Sequence, residues 1–116
     1  MPVNAYARTH RGFVLACALA ALAAAGMSAA GNGAQEYTIA IEAMRFVPAT
    51  LSVKRGDRVT WVNKDLVPHT ATASAKAFDS GSIAPGGSWT YVATEAGTQA
   101  YVCAFHPTMK GEVSIR

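Results

Sequence analysis

Cys103, His106 and Met109 follow one another at intervals of three in the stretch Tyr101-Val102-Cys103-Ala104-Phe105-His106-Pro107-Thr108-Met109, giving C-x-x-H-x-x-M. A thiolate and an imidazole with a more distant thioether are donors suited to a copper ion that must exist as both Cu(I) and Cu(II), provided a second imidazole arrives from elsewhere. His69 is the candidate. With it, His69, Cys103 and His106 make a trigonal His₂Cys set and Met109 a weak axial donor, a compromise geometry that needs little rearrangement when the charge of one bound copper ion changes. Zinc fits less well: a structural zinc site takes four strong N or S donors, a catalytic one keeps a position open for water, and neither has use for a thioether. Singly, Cys103 reads as a buried thiol, Met109 as core filler and His69 as a surface residue. Together they point to copper.

Such donors need a frame, and the chain supplies short alternating segments. Tyr37–Ile41 alternates, Met44–Pro48 is an extended piece that Pro48 confines to an edge or strand end, and Thr50–Val53 alternates again. A turn at Lys54–Asp57 leads into Arg58–Asn63, with Val59 and Trp61 on one face, and the pair reads as a hairpin. Pro68 biases Val67 toward extended backbone just before His69, and Thr70–Ala73 continues as a strand. Phe78 and Ile83 are apolar anchors in a turn-rich stretch. After the turn at Pro85–Gly87 come strands at Ser88–Val92, Gln99–Cys103 and Gly111–Arg116. No sustained helical period follows residue 30. Seven or so short strands predict an all-β fold, a small antiparallel β-sandwich, with Cys103 ending one strand, His106 and Met109 on the loop after it, and His69 on a neighbouring loop.

The first thirty residues read differently. Arg8 and Arg11 precede an apolar, Ala- and Leu-rich run over Gly12–Ala25, and Ser28-Ala29-Ala30 offers a small-x-small cleavage site. Residues 1–30 are therefore expected to be a secretory signal peptide, with an uncleaved membrane anchor as the other reading, and residues 31–116 the copper-binding domain. Removing the signal takes Lys plus Arg from ten to eight against seven acids, so the charge falls from +3 to +1. No basic cluster remains to track a phosphate backbone, which excludes nucleic acid as a partner. Cys17 and His10 leave as well, so Cys103 has no disulfide partner, and metal ligation is one way of masking a lone thiol in an oxidising compartment. Asp65, Asp79 and Glu95 read as solvated loop acids.

From about Tyr37 to Arg116 the chain resembles the cupredoxins, the blue copper proteins. Val59-Thr60-Trp61-Val62-Asn63 leading to Pro68-His69, and Cys103-x-x-His106-Pro107-x-Met109-Lys110-Gly111-x-Val113, carry the resemblance. The two-residue gap between His106 and Met109 is the amicyanin pattern, where plastocyanins and pseudoazurins usually have a longer one. Phe105 departs from it, since amicyanins usually have Pro there. The resemblance implies a Greek-key sandwich, a type 1 copper centre ligated by His69, Cys103, His106 and Met109, and soluble one-electron transfer in the periplasm. It implies that His106 is the partly exposed ligand, amid an apolar patch that includes Pro107 and Pro68. It also implies that Asn63 pins the His69 loop and that Thr70 places a backbone N–H near the Cys103 sulfur.

The function expected is that of a monomeric periplasmic electron carrier, not an enzyme and not inserted in a membrane after signal removal, meeting donor and acceptor proteins transiently near His106. Copper storage, delivery or resistance is the alternative. An oxidase or nitrite reductase would need a second metal site.

Overall fold

The computed structural model describes residues 33–116, which lie in the second of the chain's two units, Gly31–Arg116. The expected signal peptide, residues 1–30, and the first residues of the expected domain lie outside the described residues. Eight strands are present: β1 (Glu36–Glu42), β2 (Arg45–Val47), β3 (Thr50–Val53), β4 (Arg58–Asn63), β5 (Thr72–Ala73), β6 (Ser88–Val92), β7 (Gly97–Val102) and β8 (Lys110–Ile115). They form two four-stranded sheets, ordered β2-β1-β4-β6 and β3-β8-β7-β5. Alternation explains the layers. Ile39 and Ile41 on β1, Val59 and Trp61 on β4, Tyr101 on β7, and Val113 and Ile115 on β8 all point inward and are buried, while the residues between them are more exposed. Among the described residues there is no helix, and none long and apolar enough to cross a membrane.

Two expectations about pairing are corrected. The sandwich is mixed, not wholly antiparallel: β1 runs parallel to β4, and β3 parallel to β8. β3 and β4 are not a hairpin but belong to opposite sheets. The turn between them exists, with Gly56 at φ 92°, yet its backbone groups pair elsewhere. Arg55 N–H donates to Arg116 O, Gly56 N–H to Ala93 O, and Arg58 N–H to Gln35 O. Asp57 completes this corner by accepting from Gln35 N–H and Lys54 N–H at 2.9 and 2.8 Å. Strand neighbours joined by such long crossovers are free to run parallel, whereas a two-residue loop enforces antiparallel pairing. The strand expected at Thr70–Ala73 shrinks to β5, because Thr70 N–H is drawn to the Cys103 sulfur and Ala71 N–H to Ser80 Oγ.

Aromatic rings fill the space behind the ligand loop. Trp61 lies 5.4 Å from Tyr101, 5.3 Å from Phe78 and 5.7 Å from Trp89, centroid to centroid, and Phe46 meets Tyr101 edge-on at 4.7 Å. The Tyr101 hydroxyl and Trp61 indole N–H are buried with no hydrogen-bond partner among the described residues, so it is ring shape that these two positions use. Burial pushes the Tyr101 phenol up to about 12. Tyr101 faces Gly111 across the β7–β8 ladder, and a Cβ at Gly111 would fall inside the tyrosine ring. The two strands that carry the Cys103–Met109 loop are thus set against each other by a ring that only glycine accommodates.

Asn63, at the end of β4 and fully buried, holds the other ligand loop. Its Nδ2 donates to Val67 O and Ile83 O at 2.9 and 3.0 Å, and its Oδ1 accepts from Asp65 N–H at 3.0 Å. The pinning role implied for Asn63 is what the structure shows.

Two stability outcomes follow, both read as urea or thermal midpoints of the metal-free protein. Gly111→Ala should lose about 1–3 kcal/mol through overpacking against Tyr101, and an unchanged midpoint would show that the ring can simply move aside. Asn63→Ala should lose about 2–4 kcal/mol, since three backbone groups then lose their partner at about 1 kcal/mol each.

Candidate metal centre

The spacing of three has a direct structural meaning. His106 N–H donates to Cys103 O at 3.2 Å and Met109 N–H to His106 O at 2.8 Å, two successive i-to-i+3 turns, and Cys103 N–H closes the loop onto Met109 O at 3.1 Å. Each turn brings the side chain three residues on back toward the same point. The loop starts directly after β7 and ends directly before β8, so both of its ends are fixed by the ladder. His69 reaches the same point from the β4–β5 connection, where His69 N–H donates to Ile83 O and Ile83 N–H returns the bond to His69 O at 2.7 Å.

Three of the four expected donors are brought together. Cys103 Sγ lies 3.7 Å from His69 Nδ1 and 3.6 Å from His106 Nδ1, and the ligand atoms of all three residues lie within 4.8 Å of one another. A first-row ion about 2.0 Å from nitrogen and about 2.3 Å from thiolate sulfur, at angles of roughly 110–120°, spaces those donors about 3.5–3.7 Å apart. The side chains already stand at that spacing, so the residues fit the metal. Met109 is buried at the far end of the loop, tied by backbone hydrogen bonds to both Cys103 and His106. His69 and Cys103 are fully buried, while His106 is half-buried.

The surroundings fix these donors. Thr70 N–H donates to Cys103 Sγ at 3.3 Å, as the family resemblance implied. Its hydroxyl accepts from Ala104 N–H at 2.7 Å and lies 2.9 Å from the Thr72 hydroxyl, which in turn donates to Asp79 Oδ1 at 3.1 Å. Because Thr72 spends its proton on the carboxylate, Thr70 must donate to Thr72, and the relay runs in one direction from the ligand loop to Asp79. A buried sulfur with one amide donor and two imidazoles is a place where a thiolate is tolerated once a cation is bound.

Asp65 corrects the reading of it as a solvated loop acid. Its Oδ2 lies 2.8 Å from His69 Nε2, and its side chain is only 16% exposed. Burial pushes its carboxyl up, but the amide of Met44, the His69 imidazole and the amide of Ala43 together outweigh this and hold it below the ordinary carboxylate range. An ionised carboxylate at Nε2 keeps the proton there and leaves Nδ1 free as a ligand. A carboxylate four residues before a candidate ligand histidine was the available signal.

With that geometry established, comparison with known proteins is informative. A cupredoxin-like domain model matches residues 15–115. Amicyanin from Paracoccus denitrificans is 31% identical over 125 residues, covering 90% of this chain and 94% of that protein. A point mutant of amicyanin, solved in its oxidised state, has a TM-score of 0.65 at 32% identity, covering 74% of this chain and 85% of that one. A copper-containing nitrite reductase from Thermus scotoductus shares the fold, with a TM-score of 0.65 at 23% identity, 70% of this chain matching 22% of that one. The match over nearly the whole chain, and the site at the end of its sandwich, agree: the chain belongs to the cupredoxin family.

Proposed function

We propose that this protein is a soluble, monomeric periplasmic one-electron carrier with a type 1 copper centre held by His69, Cys103, His106 and Met109. The observation that carries the reading is the buried Cys103 sulfur flanked by two imidazole Nδ1 atoms at 3.7 and 3.6 Å. Copper bound there supplies a Cu(II)/Cu(I) couple whose thiolate bond is a path for the electron. The remaining work is done by the chain. Asp65 holds the His69 proton on Nε2, Thr70 N–H steadies charge on the Cys103 sulfur, and the closed Cys103–Met109 loop limits how far the donors can shift when the charge changes.

Exchange with partners is supported by what surrounds His106. The His69 and His106 rings are 5.1 Å apart, so the loops carrying them adjoin. Those loops present Leu66 at 94% exposure, Phe105 at 53% and Val67 at 41%, with Pro68 and Pro107 also exposed. An exposed apolar patch around a half-buried ligand suits brief docking of a redox donor and then an acceptor. The burial of His69, Cys103 and Met109 favours a carrier over copper storage or delivery, for which a ligand set must open to release its ion. The nitrite reductase match takes up 22% of that chain, so it bears on fold and carries no activity across. The periplasmic assignment rests on the export signal read at residues 1–30.

The test is spectroscopic. Purified protein loaded with Cu(II) should show an intense thiolate-to-copper charge-transfer band in the visible and a narrow copper hyperfine splitting by EPR, with reversible voltammetry. Cys103→Ser should abolish the band. Met109→Leu should keep it and raise the reduction potential, because losing a donor disfavours the more highly charged Cu(II). A colourless copper complex would refute the type 1 assignment, and a blue one without reversible electron exchange would favour storage or delivery.

A further inference from the structure

Ala43 and Met44 form the two-residue connection between β1 and β2, bounded by the Glu42–Arg45 pair. Their φ angles are 51° and 58°, the left-handed region at two successive residues that carry a Cβ. Tight hairpins of this kind normally use Asn-Gly or Asp-Gly, because side chains disfavour that conformation. Something outside the hairpin therefore holds it. Asp65 Oδ1 accepts from Ala43 N–H at 2.8 Å and Oδ2 from Met44 N–H at 3.0 Å, and the same Oδ2 takes the His69 Nε2 proton at 2.8 Å. Asp65 is itself fixed, its N–H donating to Asn63 Oδ1 and the preceding Lys64 N–H to Ile41 O. One carboxylate thus joins an exposed turn to a fully buried imidazole.

We propose that Asp65 is a positioning residue that ties His69 to the Ala43–Met44 turn, so that the conformation of this surface turn sets the imidazole's hydrogen bond and, through it, the reduction potential of the bound copper. The inference rests on the copper reading for its second half only. A carboxylate that accepts the Nε2 proton makes Nδ1 a stronger donor, which favours Cu(II) over Cu(I) and lowers the potential. Oδ2 is shared between Met44 N–H and the imidazole, so a turn that leaves the left-handed conformation withdraws a support that keeps this oxygen aimed at His69. Three donors therefore bear on the two oxygens, one on Oδ1 and two on Oδ2. An Asn amide has a single acceptor oxygen and no charge, so it cannot accept from all three, and its NH₂ must face either Ala43 N–H or the Met44 and His69 donors.

Hydrogen exchange of the His69 Nε2 proton, followed by NMR in ¹⁵N-labelled metal-free protein, reads the link directly, and voltammetry of the copper-loaded protein reads its consequence. Wild-type protein should show a protected Nε2 proton. Asp65→Asn should speed its exchange about tenfold or more and raise the potential. Ala43→Val, whose branched Cβ opposes positive φ, should move both readouts in the same direction by a smaller factor, while Ala43→Gly, which relieves the turn, should slow exchange. An unprotected Nε2 proton in wild-type protein overturns the proposal outright. If Asp65→Asn moves both readouts but the Ala43 variants match wild type, the turn plays no part and the link is refuted. Should Ala43→Val fail to fold, Ala43→Gly still decides, since exchange as fast as wild type or faster contradicts the proposal. Wild-type protein that binds copper without a type 1 spectrum would refute the copper reading and leave the exchange result standing.

Discussion

A sulfur that is to carry negative charge inside an apolar sandwich must find its polar company within a few ångströms, and most of this structure can be understood as meeting that demand at Cys103. The company comes from three directions: His106 from the same loop, His69 from the β4–β5 connection, and the Thr70 amide beside it. None of these can be supplied by the strand that carries the cysteine. Hence the two ligand loops must lie at one end of the sandwich and be held there by groups that belong to neither. Asn63 does this for the His69 loop, and the Tyr101 ring lying over Gly111 does it for the strands flanking the Cys103 loop.

The two supports differ in kind, and the difference follows from what each loop is made of. The Cys103–Met109 loop closes on itself through two successive i-to-i+3 turns and the bond from Cys103 N–H to Met109 O, and it takes one outside side chain, Thr70, for its amide at Ala104. The segment Lys64–His69 contains Pro68 and follows no regular turn, so it borrows hydrogen bonds from side chains: Asn63 for its carbonyl at Val67 and amide at Asp65, and Asp65 for the far nitrogen of His69. Buried polar side chains are costly unless every group is matched, which is why Asn63, fully buried, makes three bonds.

Period-two alternation and turn residues located β3, β4 and β6 to the residue, because burial on one face of a strand writes itself directly into local sequence. The convergence of Cys103, His69 and His106 was equally legible, since thiols and imidazoles are few in this chain and their chemistry is specific. Pairing was not. The turn at Gly56 is the same in sequence whether the strands beside it pair or part, and the choice lies in distant backbone groups at Gln35, Ala93 and Arg116. Asp65 was misread for a similar reason. A carboxylate in a loop is ordinarily solvated, and what engages this one is a turn 21 and 22 residues earlier whose two amides both donate to it.

The asymmetry between the two histidines follows from the same arrangement. His69 is held at both ring nitrogens, Nδ1 toward the sulfur and Nε2 by Asp65, and is fully buried. His106 is half-buried, and among the described residues the one hydrogen-bond partner of its ring is Cys103, at Nδ1. One imidazole is therefore fixed by the protein and shielded from water, while the other is partly open to solvent. A site with both rings exposed would admit water to the thiolate, and one with both buried would leave no ligand at the surface. With one of each, the sulfur stays fully buried while His106, in contact with it, is partly exposed on a loop that also carries the exposed Phe105.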